Sequence, residues 1–189
     1  MAENAKATIL RPNTYLAQEP DWPLLEDLRR DVVHGSMLRA VSQGARKPSD
    51  IARAIRKDSA QDIGPQLATL QELGLLVREV PITQKHQARS RSSLYFLSDH
   101  YLDFWYRFVD PARSLVAQEQ GAQVWERRIA PSLHEYISRP AFERACQDFM
   151  WRSLRAGTLP VGLHFVDVGT WWRAGDIKID LVALDEAGQ

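Results

Sequence analysis

The stretch Gln61–Leu97, QDIGPQLATLQELGLLVREVPITQKHQARSRSSLYFL, changes its apolar period halfway along. Ile63, Leu67, Leu70 and Leu73 recur at the spacing that gathers side chains on one helix face. Asp62 stands where an N-cap belongs, Pro65 is tolerated in a first turn, and Gly74 supplies a stop. A helix is therefore expected from about Ile63 to Leu73. The chain then turns at once into LLVREV, and after Pro81 and the polar run TQKHQARSRSS comes SLYFL. Two short apolar runs bounded by turn signals read as a β-hairpin with a long basic loop.

Upstream lie two shorter helical stretches. Val33, Met37, Leu38 and Val41 form one stripe that Gly44 ends, and Ile51, Ala52 and Ile55 face inward on a segment from Pro48 to Lys57. Before them Leu24, Leu25, Leu28 and Val32 suggest a further helix from Asp21. Three short helices and then a hairpin is the order of a winged helix–turn–helix, placed at residues 21–98. Residues 1–20, with Pro12, Asn13 and Pro20, read as an irregular arm.

Downstream the composition shifts. Asp99 can cap a helix with Tyr101, Phe104, Trp105 and Phe108 on its apolar face, and Pro111 interrupts or ends it. Further helices are expected over Val116–Ile129, over Leu133–Ile137, and from Pro140 to Gly157. The last of these has Phe142, Ala145, Cys146, Phe149, Met150 and Leu154 inward. The remainder, through GTWWRAGDIKIDLVAL, reads as two strands around a turn at Arg173–Gly175. The fold class is α+β, with residues 99–189 as a second domain.

Composition narrows the function classes. The 189 residues carry 24 Lys+Arg against 24 Asp+Glu, a formal net charge of +0, so nucleic-acid binding would rest on a local patch. The single cysteine, Cys146, excludes an intramolecular disulfide and a multi-cysteine zinc site. The apolar run YLDFWYRFV is shorter than the roughly 20 residues a membrane span needs. With no signal-peptide pattern, a cytoplasmic protein without a membrane partner is expected. Phosphate-binding glycine loops, the nucleophile elbow and the paired-histidine zinc motif are missing from the sequence, so no small-molecule cofactor is expected.

Two groups of residues carry the site expectations. In the basic loop Lys85, His86, Arg89 and Arg91, with Arg78 before them, could clamp DNA phosphates. Arg46, Lys47, Arg53, Arg56 and Lys57 would extend that patch. The third helix carries Asp62 and Glu72 and no cation, a poor sign for a phosphate-lined groove, although Gln66 and Thr69 could reach base edges. In the last strand Asp176 and Asp180 are separated by about 13 Å, too far to share a metal. A metal-binding partner for Asp180 would have to come from elsewhere, and Glu143 is the candidate.

The stretches LATLQELGLLVREVPIT, YFLSDHYLDFWYRFVDPARSL, IAPSLHEYI, AFERACQDF and GTWWRAGDIKIDLVAL resemble the C-terminal part of the archaeal-type P-loop ATPases. The resemblance implies a winged helix followed by a domain related to the PD-(D/E)xK nucleases. It places the helix glutamate of such a site on Glu143 and the strand aspartate on Asp180, where they would hold a divalent metal such as Mg2+. Where the family has Glu-Ile-Asp, this chain has Lys178-Ile179-Asp180, a cation in place of a carboxylate. The sequence ends before the strand that carries the acid-x-lysine motif, so the nuclease-like domain is expected to be truncated and its site incomplete. Three functional readings follow: an accessory ATPase region that associates with DNA, a regulatory module that packs on an ATPase core or another protein, and a nuclease completed by further sequence.

Overall fold

The computed structural model describes residues 2–17, 32–84, 92–138, 142–173 and 177–187. Over these the chain is α+β, rich in helix, with two two-stranded sheets. It divides into two compact units, Met1–Arg78 with Tyr95–Leu133 and Glu79–Leu94 with His134–Gln189. The division is interleaved, because the chain passes from one unit to the other within both strands of the hairpin.

The first unit opens with α1 (Ala2–Thr8), so the stretch expected to be irregular begins with about two helical turns. Leu10 just after it is only 1% exposed, and the Tyr101 hydroxyl donates to the Leu16 carbonyl at 2.6 Å. The expected helix from Asp21 lies outside the described residues. Then follow α2 (Val32–Ser42), α3 (Pro48–Ala54) and α4 (Gly64–Glu72). Met37, Leu38, Val41, Ile51, Ala52, Ile63, Leu67 and Leu70 are all buried, which is the stripe pattern of the sequence turned into a core.

Asp62 does not cap α4. A 3-10 turn, Gln61–Ile63, precedes the helix and moves its N-cap to Ile63. The Asp62 carboxylate instead accepts the backbone N–H of Ser59 at 2.9 Å. At their other ends α2 and α4 close with paired 6→1 and 5→2 hydrogen bonds around Gly44 and Gly74, whose φ values are +105° and +68°.

The hairpin strands are β1 (Leu76–Glu79) and β2 (Leu94–Leu97), within one residue or so of the expected spans. Asp99 then caps α5 (His100–Phe104), accepting from the N–H groups of Tyr101 and Leu102. Pro111 does not end the helical path. It sits in a 3-10 turn, Asp110–Ala112, flanked by a π turn (Trp105–Val109) and by α6 (Arg113–Ala117). After α7 (Gly121–Val124) a second π turn, Trp125–Ile129, runs into α8 (Ala130–Tyr136). The extra residue per π turn widens the buried face, and Trp105, Tyr106, Phe108 and Val109 are all inside.

The second unit contains α9 (Phe142–Ala156) and the antiparallel pair β3 (Asp167–Arg173) and β4 (Ile177–Leu184). Between Gly169 and Trp171 the register slips: Gly169 faces Val182 and Trp171 faces Ile179, so β4 carries one extra residue. The expected inward stripe of α9 is corrected here, since Phe142 is 61% and Phe149 67% exposed. The side toward the sheet is instead polar. Gln147 donates to the Thr170 hydroxyl at 3.2 Å, and Glu143 meets Lys178. The hairpin's outer part belongs here as well. A Cβ added to Gly169 would sit 3.3 Å from Ile82, the Trp172 indole N–H donates to the Ser92 carbonyl at 3.2 Å, and Arg144 pairs with Glu79 at 3.6 Å.

Candidate functional site

In the second unit the structure brings Glu143 and Asp180 together, and it does so through Lys178. From β4 the Lys178 ammonium reaches Glu143 Oε1 and Oε2 at 2.6 and 2.7 Å and Asp180 Oδ1 at 3.1 Å. Strand alternation alone would leave Lys178 and Asp180 side by side on one face. α9 supplies the third member, because Glu143 lies in its first turn. Glu143 is the enclosed partner at 16% side-chain exposure, against 42% for Lys178 and 66% for Asp180.

The electrostatics follow from that enclosure. Burial pushes the Glu143 carboxyl above the ordinary glutamate value, the Lys178 hydrogen bond and charge pull it back only in part, and Asp180 raises it further. For Lys178, burial would lower the pKa, but its hydrogen bonds and charge interactions with Glu143 and Asp180 outweigh it and hold the ammonium above the ordinary lysine value. The group is an ion triad with a captive cation.

A divalent metal held by Glu143 and Asp180 would need the space between their oxygens, with metal–oxygen distances near 2.1 Å for Mg2+. The chain's own ammonium stands in that space. Among the described residues no group of three His, Cys, Asp or Glu is placed to hold a metal ion. The described donor set therefore does not fit Mg2+. The cation that the Lys178-Ile179-Asp180 order puts in place of a carboxylate is the one that fills this space.

In the first unit the surface of α2–α4 and β1 carries the other candidates. Thr69 on α4 spends its hydroxyl on the Pro65 carbonyl at 3.1 Å. Gln66 is half-buried, and its side-chain oxygen lies inside without a hydrogen-bond partner. Gln61, Asp62 and Glu72 are exposed, so the outward side of this segment is acidic or neutral. Arg78 sits half-buried on β1, beside Tyr95. Burial raises the Tyr95 hydroxyl pKa, and the Arg78 charge opposes the rise. Lys85, His86, Arg89 and Arg91 lie outside the described residues.

Cations stand just before, on and after α3 instead. Lys47, Arg53, Arg56 and Lys57 are exposed, and Arg46 is turned inward, its guanidinium 4.5 Å from the centre of the Phe96 ring. A cavity of about 260 Å³ opens between α2 and the end of α3, lined by Ser36, Arg39, Gln43, Ile55 and Arg56 among others. Arg39 is held through its Nε by Asp110 at 2.5 Å. Neither this cavity nor Arg39 was a sequence-based candidate, because the Arg39–Asp110 pair joins residues far apart in the chain.

Among the described residues no helix is long and apolar enough to cross a membrane. No curated protein and no solved structure matches the chain. A family model, DUF234, described as archaeal and bacterial proteins of unknown function, matches residues 105–189, a span that holds Glu143, Lys178 and Asp180 and does not include α2–α4.

Proposed function

We propose that this chain is an accessory region of an archaeal-type ATPase that associates with DNA through a winged helix–turn–helix, beside a nuclease-like domain whose site does not cleave. The observation that carries the reading is the order α2, α3, α4, hairpin, with one shared core and exposed cations at the end of α3. Phosphate contacts from such cations orient a protein on a duplex and make its affinity depend on salt. The similarity of residues 105–189 to archaeal and bacterial proteins supports the prokaryotic setting.

The test is fluorescence anisotropy of a labelled duplex titrated across a salt series. Each lost phosphate contact lowers the log–log slope by about 0.9. Replacing Lys85, Arg89 and Arg91 with alanine is expected to lower it by up to about 3. An unchanged slope removes the basic loop from the interface, and no binding even at low salt removes the DNA reading.

A second reading, a module that packs on an ATPase core or another protein, is favoured by two observations. The segment Gln61–Glu72 exposes Asp62 and Glu72 and no cation, and Phe142, Phe149, Val166, Ile177 and Ile179 of the second unit are exposed. The nuclease reading is the least supported, since the Lys178 ammonium fills the gap between the two carboxylates.

A further inference from the structure

α3 ends in the same hydrogen-bond pattern as α2 and α4, yet with a different residue at its centre. Arg56 N–H donates to the Arg53 carbonyl at 3.1 Å, and Lys57 N–H donates to the Ala52 carbonyl at 2.9 Å. This closure needs a left-handed residue, and Arg56 has φ +60°. Gly44, Gly74 and Gly157 occupy the equivalent place after α2, α4 and α9. Glycine adopts that conformation without steric cost, and an L side chain does not. Glu119 closes α6 in the same way as Arg56. What sets Arg56 apart is the cavity its side chain lines.

Three side chains on that cavity carry donors toward it. Arg39 and Arg56 bring two guanidiniums and Gln43 an amide, beside the apolar Ala40, Ala54 and Ile55, while the Ser36 hydroxyl already donates to the Val32 carbonyl at 2.8 Å. Asp110, whose side chain is only 6% exposed, fixes Arg39 by its Nε edge. Arg56 makes no ion pair among the described residues, and exposed Lys57 and Arg53 flank it. The end of α3 adds a partial negative charge of about half a unit and Asp110 balances Arg39, so the positive charge facing the cavity comes chiefly from Arg56. Planar guanidiniums match the paired oxygens of a phosphate group.

We infer that the cavity between α2 and the end of α3 is a phosphate-binding site, in which Arg39 and Arg56 grip a backbone phosphate of the DNA the first unit docks on. The site rests on the DNA reading above and moves its anchor from the basic loop to α3.

Arg56→Gly tests this, because stability and binding should move in opposite directions. Relief of the left-handed strain should raise the thermal midpoint, while duplex affinity falls three- to tenfold and the salt slope drops by about 0.9. Arg56→Lys, which keeps the charge and loses the paired donors, should retain most of the slope and part of the affinity. A duplex that binds Arg56→Gly as tightly as the wild-type chain overturns the site and leaves the DNA reading standing. If the wild-type chain binds no duplex at low salt, the DNA reading falls, and a second arm decides the site. Inorganic phosphate or pyrophosphate that raises the midpoint of the wild-type chain and not of Arg56→Gly supports a site for a free phosphate compound. Equal response of both proteins overturns it.

Discussion

Replacing Lys178 with methionine keeps the length of the side chain and removes the charge that holds Glu143 and Asp180 together. Charge-assisted hydrogen bonds contribute about 1.5–3 kcal/mol when shielded, and fully exposed ion pairs about 0–1 kcal/mol. With Lys178 at 42% and Glu143 at 16% exposure, the pair falls between these limits. A loss of about 1–2 kcal/mol is expected near pH 8. The cost should depend on pH. The Glu143 pKa is already raised, so the folded chain binds that proton more readily than the unfolded one. Stability therefore falls as pH rises from the ordinary glutamate value through the higher folded value. Without the ammonium the folded pKa rises further and the fall steepens. Below that window Glu143 is protonated in both proteins, and their difference should shrink toward Asp180's share. The assay is urea unfolding of wild type, Lys178→Met, Glu143→Gln and the double variant at pH 4.5 and 8. Coupling between the two positions of about 1 kcal/mol at the higher pH is expected. Coupling below about 0.3 kcal/mol, or an identical cost at both pH values, refutes the triad as an electrostatic unit.

Other outcomes follow from single contacts. Gly121→Ala would place a Cβ 1.9 Å from the Leu10 carbonyl oxygen. It should cost about 1–3 kcal/mol and speed amide exchange over residues 5–11. Tyr101, whose pKa is pushed up to about 12, chiefly by burial, should appear as a late step in a 295 nm titration that vanishes in Tyr101→Phe. Its neutral form is favoured in the folded chain, so stability should decline as pH climbs from 10 through 12. Trp172→Phe deletes the donor to the Ser92 carbonyl and should quicken exchange at Ser93 and Leu94 with little change in overall stability.

Helix positions in the first unit were legible because one-faced burial dictates the spacing of Met37, Leu38, Val41, Leu67 and Leu70, whatever the partner. The Asp99 cap was legible for the same local reason. Asp62 misled because a cap depends on where the preceding turn places the first helical residue, and the 3-10 turn is set by packing of Ile63, which is fully buried. The face of α9 was misjudged because its apolar residues outnumber the places the small sheet offers, and Glu143 and Gln147 take the sheet side through polar contacts. Of the candidate site, Glu143 and Asp180 were named and are neighbours. The role of Lys178 required knowing which way the strand faces α9, which a periodic pattern does not encode.

Because both hairpin strands cross between the two units, cutting the polypeptide at one peptide bond does not yield two intact halves. A piece ending at Ser98 would carry off Ile82 and Ser92, stripping Gly169 of its neighbour and Trp172 of its acceptor. Co-expression of two complementary pieces, each lending its share of the ribbon to the other, is the dissection this connectivity permits.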